Sequence, residues 1–331
     1  MTSRIRWGIL STANIGKRAV IPGIQRSNNG EVVAIASRDA AQAQAAAAEL
    51  RIGRAHGSYE ALLEDSEVDA IYIPLPNSMH REWTIRAAQA GKHILCEKPL
   101  AMNAAECAEM QAAAEQHGVL LMEAFMYRFH PQTLRVQELV RQGAIGDARL
   151  LKATFSFHLT NPANIRLNAD LGGGGLMDVG CYCVNVSRTM FAAEPVEAQA
   201  YASWSASGVD ELLVGTLRFA DGRLAQIECS LALAGRQSYQ IIGADGFIEA
   251  PTAFVPGLSD TTLTIRQGNQ TETETIGGVD QYQLMVEHFG ECVRGNATLR
   301  YPASEAVANM RVIEALYESA RQNGRPVTVA R

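Results

Sequence analysis

Short apolar runs alternate with helix-forming stretches over the first 122 residues. The apolar runs predict strands at Arg4–Leu10, Glu31–Ala36, near Ala55–His56, and at Ala70–Pro74, His93–Cys96 and Val119–Met122. The stretches between them predict helices at Ile15–Gln25, Ala40–Leu50, Ser78–Ala90, and from a cap at Asn103 to about Gln116. This alternation is typical of a parallel sheet covered on both faces. Residues 1–122 are therefore predicted to form a doubly wound α/β domain of the Rossmann type.

The pattern changes after Met122. A helix is predicted at Pro131–Gln142 and a strand at Leu150–His158, and a glycine-rich turn runs into a helix over 172–191. Strands follow at Val196–Trp204, Leu212–Phe219, Arg223–Leu233, Ser238–Ile242, Phe247–Glu249 and Thr262–Arg266, and helices at Tyr282–Arg294 and Ser304–Gln322. The short Asp-Gly turns at 221–222 and 245–246 favour antiparallel pairing. Residues 123–331 are therefore predicted to form a substrate-binding and oligomerisation α+β domain with an open, mostly antiparallel sheet.

The open sheet and the composition bear on partners and location. An open sheet with one apolar face needs a cover, so we expect a homodimer or homotetramer formed through this sheet. The net charge of −6 and the absence of a Lys/Arg-rich run argue against nucleic-acid binding. No signal-peptide pattern and no membrane-length apolar run is present, which favours a cytoplasmic protein without membrane contact. The six cysteines form no repeated CxxC pairs, so no metal site is expected.

The first strand ends in a turn where a dinucleotide-binding fold holds the cofactor pyrophosphate. The residues after Gly8-Ile-Leu are Ser11, Thr12, Ala13, Asn14, Ile15 and Gly16. In the usual G-x-G-x-x-G motif, small residues let the backbone approach the pyrophosphate at a helix N-terminus. Ser11 and Ala13 replace the first two glycines. The motif is weak by itself, but its position between a strand and a helix favours a phosphate-binding turn.

The second strand ends in Ser37-Arg38-Asp39, which bears on the choice of cofactor. A small hydroxyl followed by arginine suits a 2′-phosphate, because guanidinium binds phosphate through paired hydrogen bonds. An acid at this place would suit the free ribose hydroxyls of NAD. Asp39 leaves NAD possible, although it could equally cap the next helix beside a solvated Arg38. NADP is the predicted cofactor.

Two further features carry candidate chemistry. Lys98 follows the fifth strand in Glu97-Lys-Pro99, at the sheet edge where doubly wound folds bind ligands. The run Gly172–Gly175 leads into a helix on which Asp178 and Tyr182 are spaced i and i+4 and so share a face. A tyrosine acts as an acid or base only if its pKa, about 10 when free, is lowered, and a nearby ammonium lowers it. Together these residues would form a proton-handling cluster, although singly Asp178 could be a helix cap and Tyr182 a core residue.

These residues give the chain a resemblance that covers essentially its whole length. Glu97-Lys98-Pro99, the stretch Gly172–Tyr182, and Glu123-Ala-Phe-Met-Tyr-Arg128-Phe-His-Pro131 resemble the glucose-fructose oxidoreductase and inositol dehydrogenase family (Gfo/Idh/MocA). Tyr182 is similar to the branch of dimeric dihydrodiol dehydrogenase, xylose dehydrogenase and glucose-fructose oxidoreductase. Inositol dehydrogenases have histidine at that place. Ser11 and Ala13 depart from the motif glycines.

The resemblance implies roles for individual residues. Lys98 and Tyr182 would handle the proton of the substrate hydroxyl while hydride passes to C4 of the nicotinamide, and Asp178 would orient the substrate. Glu97 and the loop from Pro76 to His80 would line the cofactor cleft, with Asn77 and His80 as cofactor contacts. Arg128 and Arg166 are candidates for substrate or cofactor-amide contacts, and Arg166 could instead form a structural ion pair.

The expected activity is hydride transfer between NADP(H) and an aldose or related cyclic polyol, for example oxidation of a pyranose at C1 to the lactone. A trans-dihydrodiol dehydrogenase on the same scaffold is the first alternative. A non-catalytic NADP-binding regulator is a further alternative, against which the intact set of Lys98, Asp178 and Tyr182 argues.

Overall fold

The computed structural model describes residues 4–330, which divide into two compact units. The first unit comprises 4–126 together with Asp280–Val307, and the second comprises Tyr127–Val279 with 308–330. The sequence-based division placed everything after residue 122 in the second domain, whereas the structure assigns Asp280–Val307 to the first unit. Within the described residues, no helix combines the length and the apolar character needed to cross a membrane.

The sheet of the first unit is parallel throughout. Its strands, among residues 4–126, are β1 Ile5–Leu10, β2 Gly30–Ala36, β3 Arg54–His56, β4 Ala70–Ile73, β5 His93–Cys96 and β6 Leu121–Glu123. They lie in the order β3-β2-β1-β4-β5-β6. The predicted doubly wound fold is confirmed. The order reverses between β1 and β4, so the loops that follow these two strands leave the sheet in opposite directions and open a crevice.

Helices cover both faces of this first sheet. Their bounds are α1 Ile21–Arg26, preceded by a π-helical segment Gly16–Val20, α2 Ala40–Leu50, α3 Tyr59–Leu63, α4 Asn77–Gln89 and α5 Ala104–Gln116. Asn103 caps α5 by accepting from the backbone N–H of Glu106 at 2.8 Å, and the Glu106 carboxylate accepts in return from Met102 N at 3.1 Å. Such reciprocal capping satisfies backbone donors that a helix start leaves open.

A late segment of the chain completes the first unit. Helix α8 (Gln281–Val293) packs on α1, and Phe289 lies 5.5 Å from Trp7 between ring centroids. The buried Asn29 side chain donates from Nδ2 to Glu287 O and to Glu291 Oε1, both at 2.8 Å. Helical periodicity in the sequence indicates that α8 buries one face but not which unit that face meets, and for this reason the sequence-based division missed this return.

The second unit is built on a mixed sheet. Its strands, among the residues described, are β7 Ala148–His158, β8 Pro195–Trp204, β9 Asp210–Phe219, β10 Leu224–Ser230, β11 Ala232–Gly243, β12 Gly246–Ala250, β13 Thr261–Gln267, β14 Gln270–Ile276 and β15 Val327–Thr328. They lie in the order β14-β13-β12-β11-β7-β10-β9-β8-β15. Strands β7 and β10 pair in parallel and the other pairs are antiparallel. The predicted open, mostly antiparallel sheet is confirmed.

One face of this second sheet is buried and the other is open. Helices α6 Pro131–Arg141, α7 Cys181–Phe191 and α9 Ser304–Arg321 accompany the sheet, and a π-helical segment Leu176–Gly180 leads into α7. Alternate residues of β9, such as Leu213 and Leu217, are buried, while Val214 between them is 51% exposed. Tyr201 on β8 and Leu224 on β10 are also exposed. The outer face therefore presents apolar side chains to its surroundings.

Replacement of Asn29 by alanine is expected to destabilise the first unit. The change removes two hydrogen bonds to α8, one of them to a carboxylate, from a buried site, which typically costs about 1–3 kcal/mol. The free energy of unfolding from urea titration measures the effect. Asn28→Ala is the matched control, because the neighbouring Asn28 side chain is exposed and its loss is expected to cost less than about 0.5 kcal/mol. Equal effects of the two changes would contradict the assigned role of Asn29.

Candidate active site

The turn after β1 has the backbone geometry of a glycine position without the glycine. Ser11 adopts φ 147°, a region that side chains other than glycine rarely occupy, at a typical cost of about 1–3 kcal/mol. Its hydroxyl accepts from Ala13 N at 3.2 Å and lies 3.5 Å from Pro74 O, which ties the turn to the end of β4. Thr12 and Ala13 are half-buried, while Asn14 and Ile15 are exposed. Residues 12–15 of the predicted phosphate turn are thus at least partly exposed, while Ser11 is buried.

The hydrogen bonds that follow β2 distinguish the two roles considered for Asp39, ribose binding and helix capping. Asp39 Oδ1 accepts from Ala41 N at 2.9 Å and from Gln42 N at 3.3 Å, so this carboxylate caps α2. Ser37 Oγ accepts from Asp39 N at 3.2 Å and holds the turn. Arg38 is exposed, and its guanidinium lies near the hydroxyl of Tyr59. Burial raises the pKa of Tyr59, and the nearby Arg38 charge offsets part of that rise. Tyr59 is therefore a neighbour of Arg38 in the first unit.

The two candidate cofactor contacts after β4, Asn77 and His80, differ in how far they are buried. Pro76 and Asn77 are half-buried at the start of α4. The His80 ring is completely buried: Nε2 lies 2.8 Å from Leu75 O, and Nδ1 lies 3.1 Å from Pro99 O and 3.2 Å from Leu100 O. Burial lowers the pKa of His80. His80 thus joins the loop after β4 to the loop after β5, and the half-buried residues lie around it.

The loop after β5 is held from both sides. The Glu97 carboxylate accepts from the hydroxyl of the buried Tyr72 at 2.6 Å, and burial next to Glu97 holds the pKa of Tyr72 well above its usual value. Leu100 N donates to the buried Glu123 carboxylate at 2.8 Å. Lys98 is half-buried between these anchors, before a cis peptide bond to Pro99. Two carboxylates of the sequence motifs therefore fix the backbone on either side of Lys98.

The conformation of the glycine run in the second unit is set by its contacts with other residues of that unit. A Cβ on Gly173 would lie 2.4 Å from Arg166 O, and Gly174 N donates to the same carbonyl at 2.9 Å. Arg166 Nε donates to Asp178 Oδ2 at 2.6 Å. The Arg166 side chain is 41% exposed and that of Asp178 14%. The glycines let the loop that carries Arg166 close on the helix that carries Asp178. The ion pair considered for Arg166 in the sequence is present, and its partner is the candidate substrate residue.

Tyr182 lies one turn further along, in an aromatic cluster. Its ring centroid is 5.8 Å from that of Tyr127 and 5.4 Å from those of Phe155 and Phe254. The side chain is 4% exposed. The contact with Phe155 is edge to face and those with Tyr127 and Phe254 are tilted, and such packing stabilises one orientation of the phenol. Arg128, the remaining substrate-contact candidate, is also buried in the second unit, with 7% exposure.

The predicted site residues are thus distributed over both units. Lys98 and the candidate cofactor residues belong to the first unit, and Arg128, Arg166, Asp178 and Tyr182 belong to the second. Sequence reasoning did not single out Tyr59 or Tyr72 as neighbours of the candidate residues. Tyr72 sits inside an apolar strand and Tyr59 follows a helix cap, so neither pattern distinguishes it from a core residue. Among residues 4–330, no three His, Cys, Asp or Glu side chains are grouped as a metal site would require.

Comparisons with known proteins agree with this geometry. Residues 5–125 match the model of an oxidoreductase family with an NAD-binding Rossmann fold, and residues 133–249 match the GFO/IDH/MocA C-terminal domain. A D-xylose 1-dehydrogenase (NADP(+)) from Haloferax volcanii is 44% identical over 95% of this chain and 97% of its own length. A trans-1,2-dihydrobenzene-1,2-diol dehydrogenase from Xenopus laevis is 37% identical over 87% of this chain and 89% of its own.

A solved structure gives the same result for the fold. The aldose-aldose oxidoreductase of Caulobacter crescentus superposes with a TM-score of 0.92 at 28% identity, covering 98% of this chain and 99% of that one. The matched models, the archetypal strand order and the relatives agree, and they confirm the resemblance noted in the sequence motifs. The chain belongs to the GFO/IDH/MocA family of oxidoreductases with an NAD-binding Rossmann fold.

Proposed function

We propose that this protein is an NADP-dependent dehydrogenase or reductase that transfers hydride to or from an aldose or a related cyclic polyol. The observation that carries the proposal is the similarity to the D-xylose 1-dehydrogenase (NADP(+)) along nearly the whole chain. Lys98, Asp178 and Tyr182 support a catalytic protein over a silent regulator. Oxidation of a pyranose at C1 to the lactone is the reaction proposed first.

The residues of the first unit fit a phosphorylated dinucleotide. The partly exposed turn Ser11–Ile15 leads into a helix, where backbone N–H groups and the helix dipole favour the pyrophosphate. The Asp39 carboxylate is engaged as a helix cap, which leaves Ser37 and Arg38 for the 2′-phosphate. Pro76, Asn77, Glu97 and Lys98 would hold the nicotinamide end, with His80 acting through the loop that it fixes. When bound, the nicotinamide would exchange hydride with the substrate through its own C4 atom.

The chain's own groups handle the proton and the orientation of the substrate. In the oxidative direction Tyr182 accepts the proton of the substrate hydroxyl as hydride leaves the same carbon, and the carbonyl product forms. On the resemblance to the family, Lys98 would take part in the same proton transfer, since an ammonium lowers the pKa of a phenol. Asp178, oriented by Arg166 at 2.6 Å, accepts a hydrogen bond from a second substrate hydroxyl. Arg128 is assigned to substrate or cofactor-amide binding.

A trans-dihydrodiol dehydrogenase is the second candidate, supported by the Xenopus laevis relative. Both reactions remove hydride from a carbon that bears a hydroxyl, so one arrangement of Lys98, Asp178 and Tyr182 serves either. A panel of aldoses, inositols and dihydrodiols assayed with both cofactors distinguishes them. A higher kcat/KM for a pyranose than for any dihydrodiol is expected.

Tyr182→Phe is expected to reduce kcat about a hundredfold or more, because general acid–base groups typically contribute about 10²–10⁴-fold. Steady-state kinetics on the best substrate of the panel measure the change. Tyr239→Phe is the matched control, because Tyr239 is buried beside Phe254 in the same region and its hydroxyl has no hydrogen-bond partner among the described residues. Retention of full activity by Tyr182→Phe would remove Tyr182 from the mechanism.

Arg38→Ala is expected to raise the KM for NADP about tenfold or more and to leave the KM for NAD nearly unchanged. The reason is the loss of charge-assisted hydrogen bonds to the 2′-phosphate, each worth roughly 1.5–3 kcal/mol. Arg81→Ala, which removes an exposed arginine paired with Glu109 in the same unit, is the control. An equal change for the two cofactors would refute the assignment of Arg38.

The outer face of the second sheet supports a homodimer or homotetramer. Tyr201, Val214 and Leu224 are 62%, 51% and 40% exposed on adjacent strands. The pair Arg218–Glu197, at 3.0 Å, provides both charges on the same face. A two-fold interface brings a patch against its own copy, so apolar residues flanked by both charges suit self-association. We also propose a cytoplasmic location for the protein.

Light scattering after size exclusion at low micromolar concentration is expected to give twice the chain mass or a higher multiple. Val214→Lys is expected to yield monomer, because it places an uncompensated charge at the centre of the patch. Leu134→Lys, on the exposed side of α6, is expected to leave the assembly intact. A monomeric wild-type protein would refute this proposal.

A further inference from the structure

A buried carboxylate underlies the glycine run that leads to Asp178. Asp210 is the first residue of β9 and is completely buried. Its Oδ2 atom accepts from Leu176 N at 2.7 Å, and the backbone N–H of Gly175 lies close to this carboxylate and favours its ionised form. Leu176 opens the π-helical segment on which Asp178 lies. Asp210 therefore satisfies a donor that the start of this segment would otherwise leave open.

Tyr317 of α9 completes the support. Its hydroxyl donates to Asp210 Oδ1 at 2.7 Å and lies near the backbone N–H of Met177. The backbone N–H groups from Gly175 to Met177 thus lie close to these two side chains, and that of Leu176 is hydrogen-bonded to Asp210. The Tyr317 ring lies 6.0 Å from that of Trp204, and the Arg321 guanidinium lies 5.3 Å from the Tyr317 ring. The phenol is held at both its ring and its hydroxyl.

The glycine run is matched to this pair of side chains. Gly174 has φ 122°, and a Cβ there would lie 2.3 Å from Asp210 Oδ1 and 2.8 Å from the Tyr317 hydroxyl. A Cβ on Gly175 would lie 3.2 Å from Asp210 Oδ2. The backbone reaches the carboxylate because no side chain intervenes. The absence of side chains at these glycines thus permits a contact of the backbone with Asp210 and Tyr317, and the segment that follows carries Asp178.

The charge at Asp210 is costly to bury. Burial raises the pKa of Asp210 to about 6, against the hydrogen bonds from Tyr317 and the backbone, which favour the ionised form. The N-terminus of a helix also favours an anion. Replacing a buried charged group by a well-packed apolar one is often neutral or stabilising, so stability alone gives little reason for a carboxylate here. Its hydrogen bonds instead determine where the turn lies.

We propose that Asp210 and Tyr317 are positioning residues that set the place of Asp178, and one turn later of Tyr182, by fixing the backbone from Gly174 to Met177. The inference rests on the proposed function, since it assigns these two residues to the same reaction. A displacement of reacting groups by about 1 Å can reduce turnover about a hundredfold. Loosening this turn is therefore expected to lower kcat without changing NADP binding by the first unit.

The test compares two buried hydroxyls of α9. Tyr317→Phe removes the hydrogen bond to Asp210. Ser319→Ala, the matched control, removes the bond that the completely buried Ser319 hydroxyl accepts from Ala200 N at 2.9 Å. Both changes delete a hydroxyl from one helix, and both are expected to lower the melting temperature. Tyr317→Phe alone is expected to lower kcat, by about tenfold or more, with an NADP dissociation constant within about twofold of wild type.

Hydrogen–deuterium exchange of the peptide spanning 172–182 supplies a readout that does not need activity. Faster exchange there in Tyr317→Phe than in Ser319→Ala, together with the loss of kcat, supports the proposal. Equal exchange in the two variants, or an unchanged kcat in Tyr317→Phe, overturns it. If the wild-type protein oxidises no member of the substrate panel while exchange still rises selectively, the link between Tyr317 and the turn is supported and the proposed sugar activity fails separately.

Asp210 variants provide a graded second test. Asp210→Asn keeps one oxygen for the backbone donors and is expected to retain more kcat than Asp210→Ala, which keeps none. Circular dichroism and the NADP dissociation constant establish that each variant is folded before kinetics are compared. Equal kcat in two folded variants would overturn the role of the Asp210 oxygens. If Asp210→Ala does not fold, the comparison of Asp210→Asn with wild type, by exchange of 172–182 and by kcat, decides the question in the same way.

Discussion

Parallel pairing in the first sheet is the constraint on which the cofactor half of the site depends. When strands run parallel, their carboxyl ends lie at one edge, so turns that are far apart in sequence become neighbours. Ser11, Ser37, Pro76 and Glu97 all follow such strand ends. Side chains tie the turns after β1, β4 and β5 together: Ser11 lies against Pro74, and His80 lies against Pro99 and Leu100. The edge behaves as a connected set of loops because buried polar groups must be satisfied.

The second unit orients its candidate residues by a different means. The Arg166–Asp178 pair is partly exposed, and pairs of this kind contribute at most about 1 kcal/mol to stability. Its consequence is geometric, since a bond of 2.6 Å fixes the direction of the carboxylate. Tyr182 is oriented by three neighbouring rings instead. Asp178 lies in a π-helical segment and Tyr182 just after it, and such segments occur frequently at functional sites.

The sequence predicts those elements in which the pattern of apolar residues indicates which side chains are buried. Strand β4 is a continuous apolar run and β1 is interrupted only by Arg6 and Gly8, and both were predicted. Strand β14 reads Gln-Thr-Glu-Thr-Glu-Thr-Ile, lies at the edge of its sheet and is mostly exposed, so it has no apolar alternation to find. The parallel pairing of β7 with β10 joins residues far apart in the chain, and short-loop reasoning gives no information on it.

In the candidate site, too, some residues can be predicted from the sequence and others cannot. Lys98, Asp178 and Tyr182 stand in recognisable motifs, whereas Asp210 and Tyr317 stand in none, and only the folded chain brings them to the glycine run. The two interpretations of Asp39 have identical sequence signals, and the difference is a pair of hydrogen bonds to Ala41 and Gln42. Sequence patterns indicate which residue types are available, and distances decide which of them are already engaged.

The return of Asp280–Val307 to the first unit also affects how the protein is made. A ribosome releases the chain from the N-terminus onward, and domains generally fold as they emerge. The surface of α1 and Trp7 that α8 covers is synthesised early, but α8 appears only after the whole of β7–β14. A nascent first unit therefore carries an uncovered apolar surface throughout synthesis of the second sheet. During that interval it is a substrate for the chaperones that bind unfinished chains.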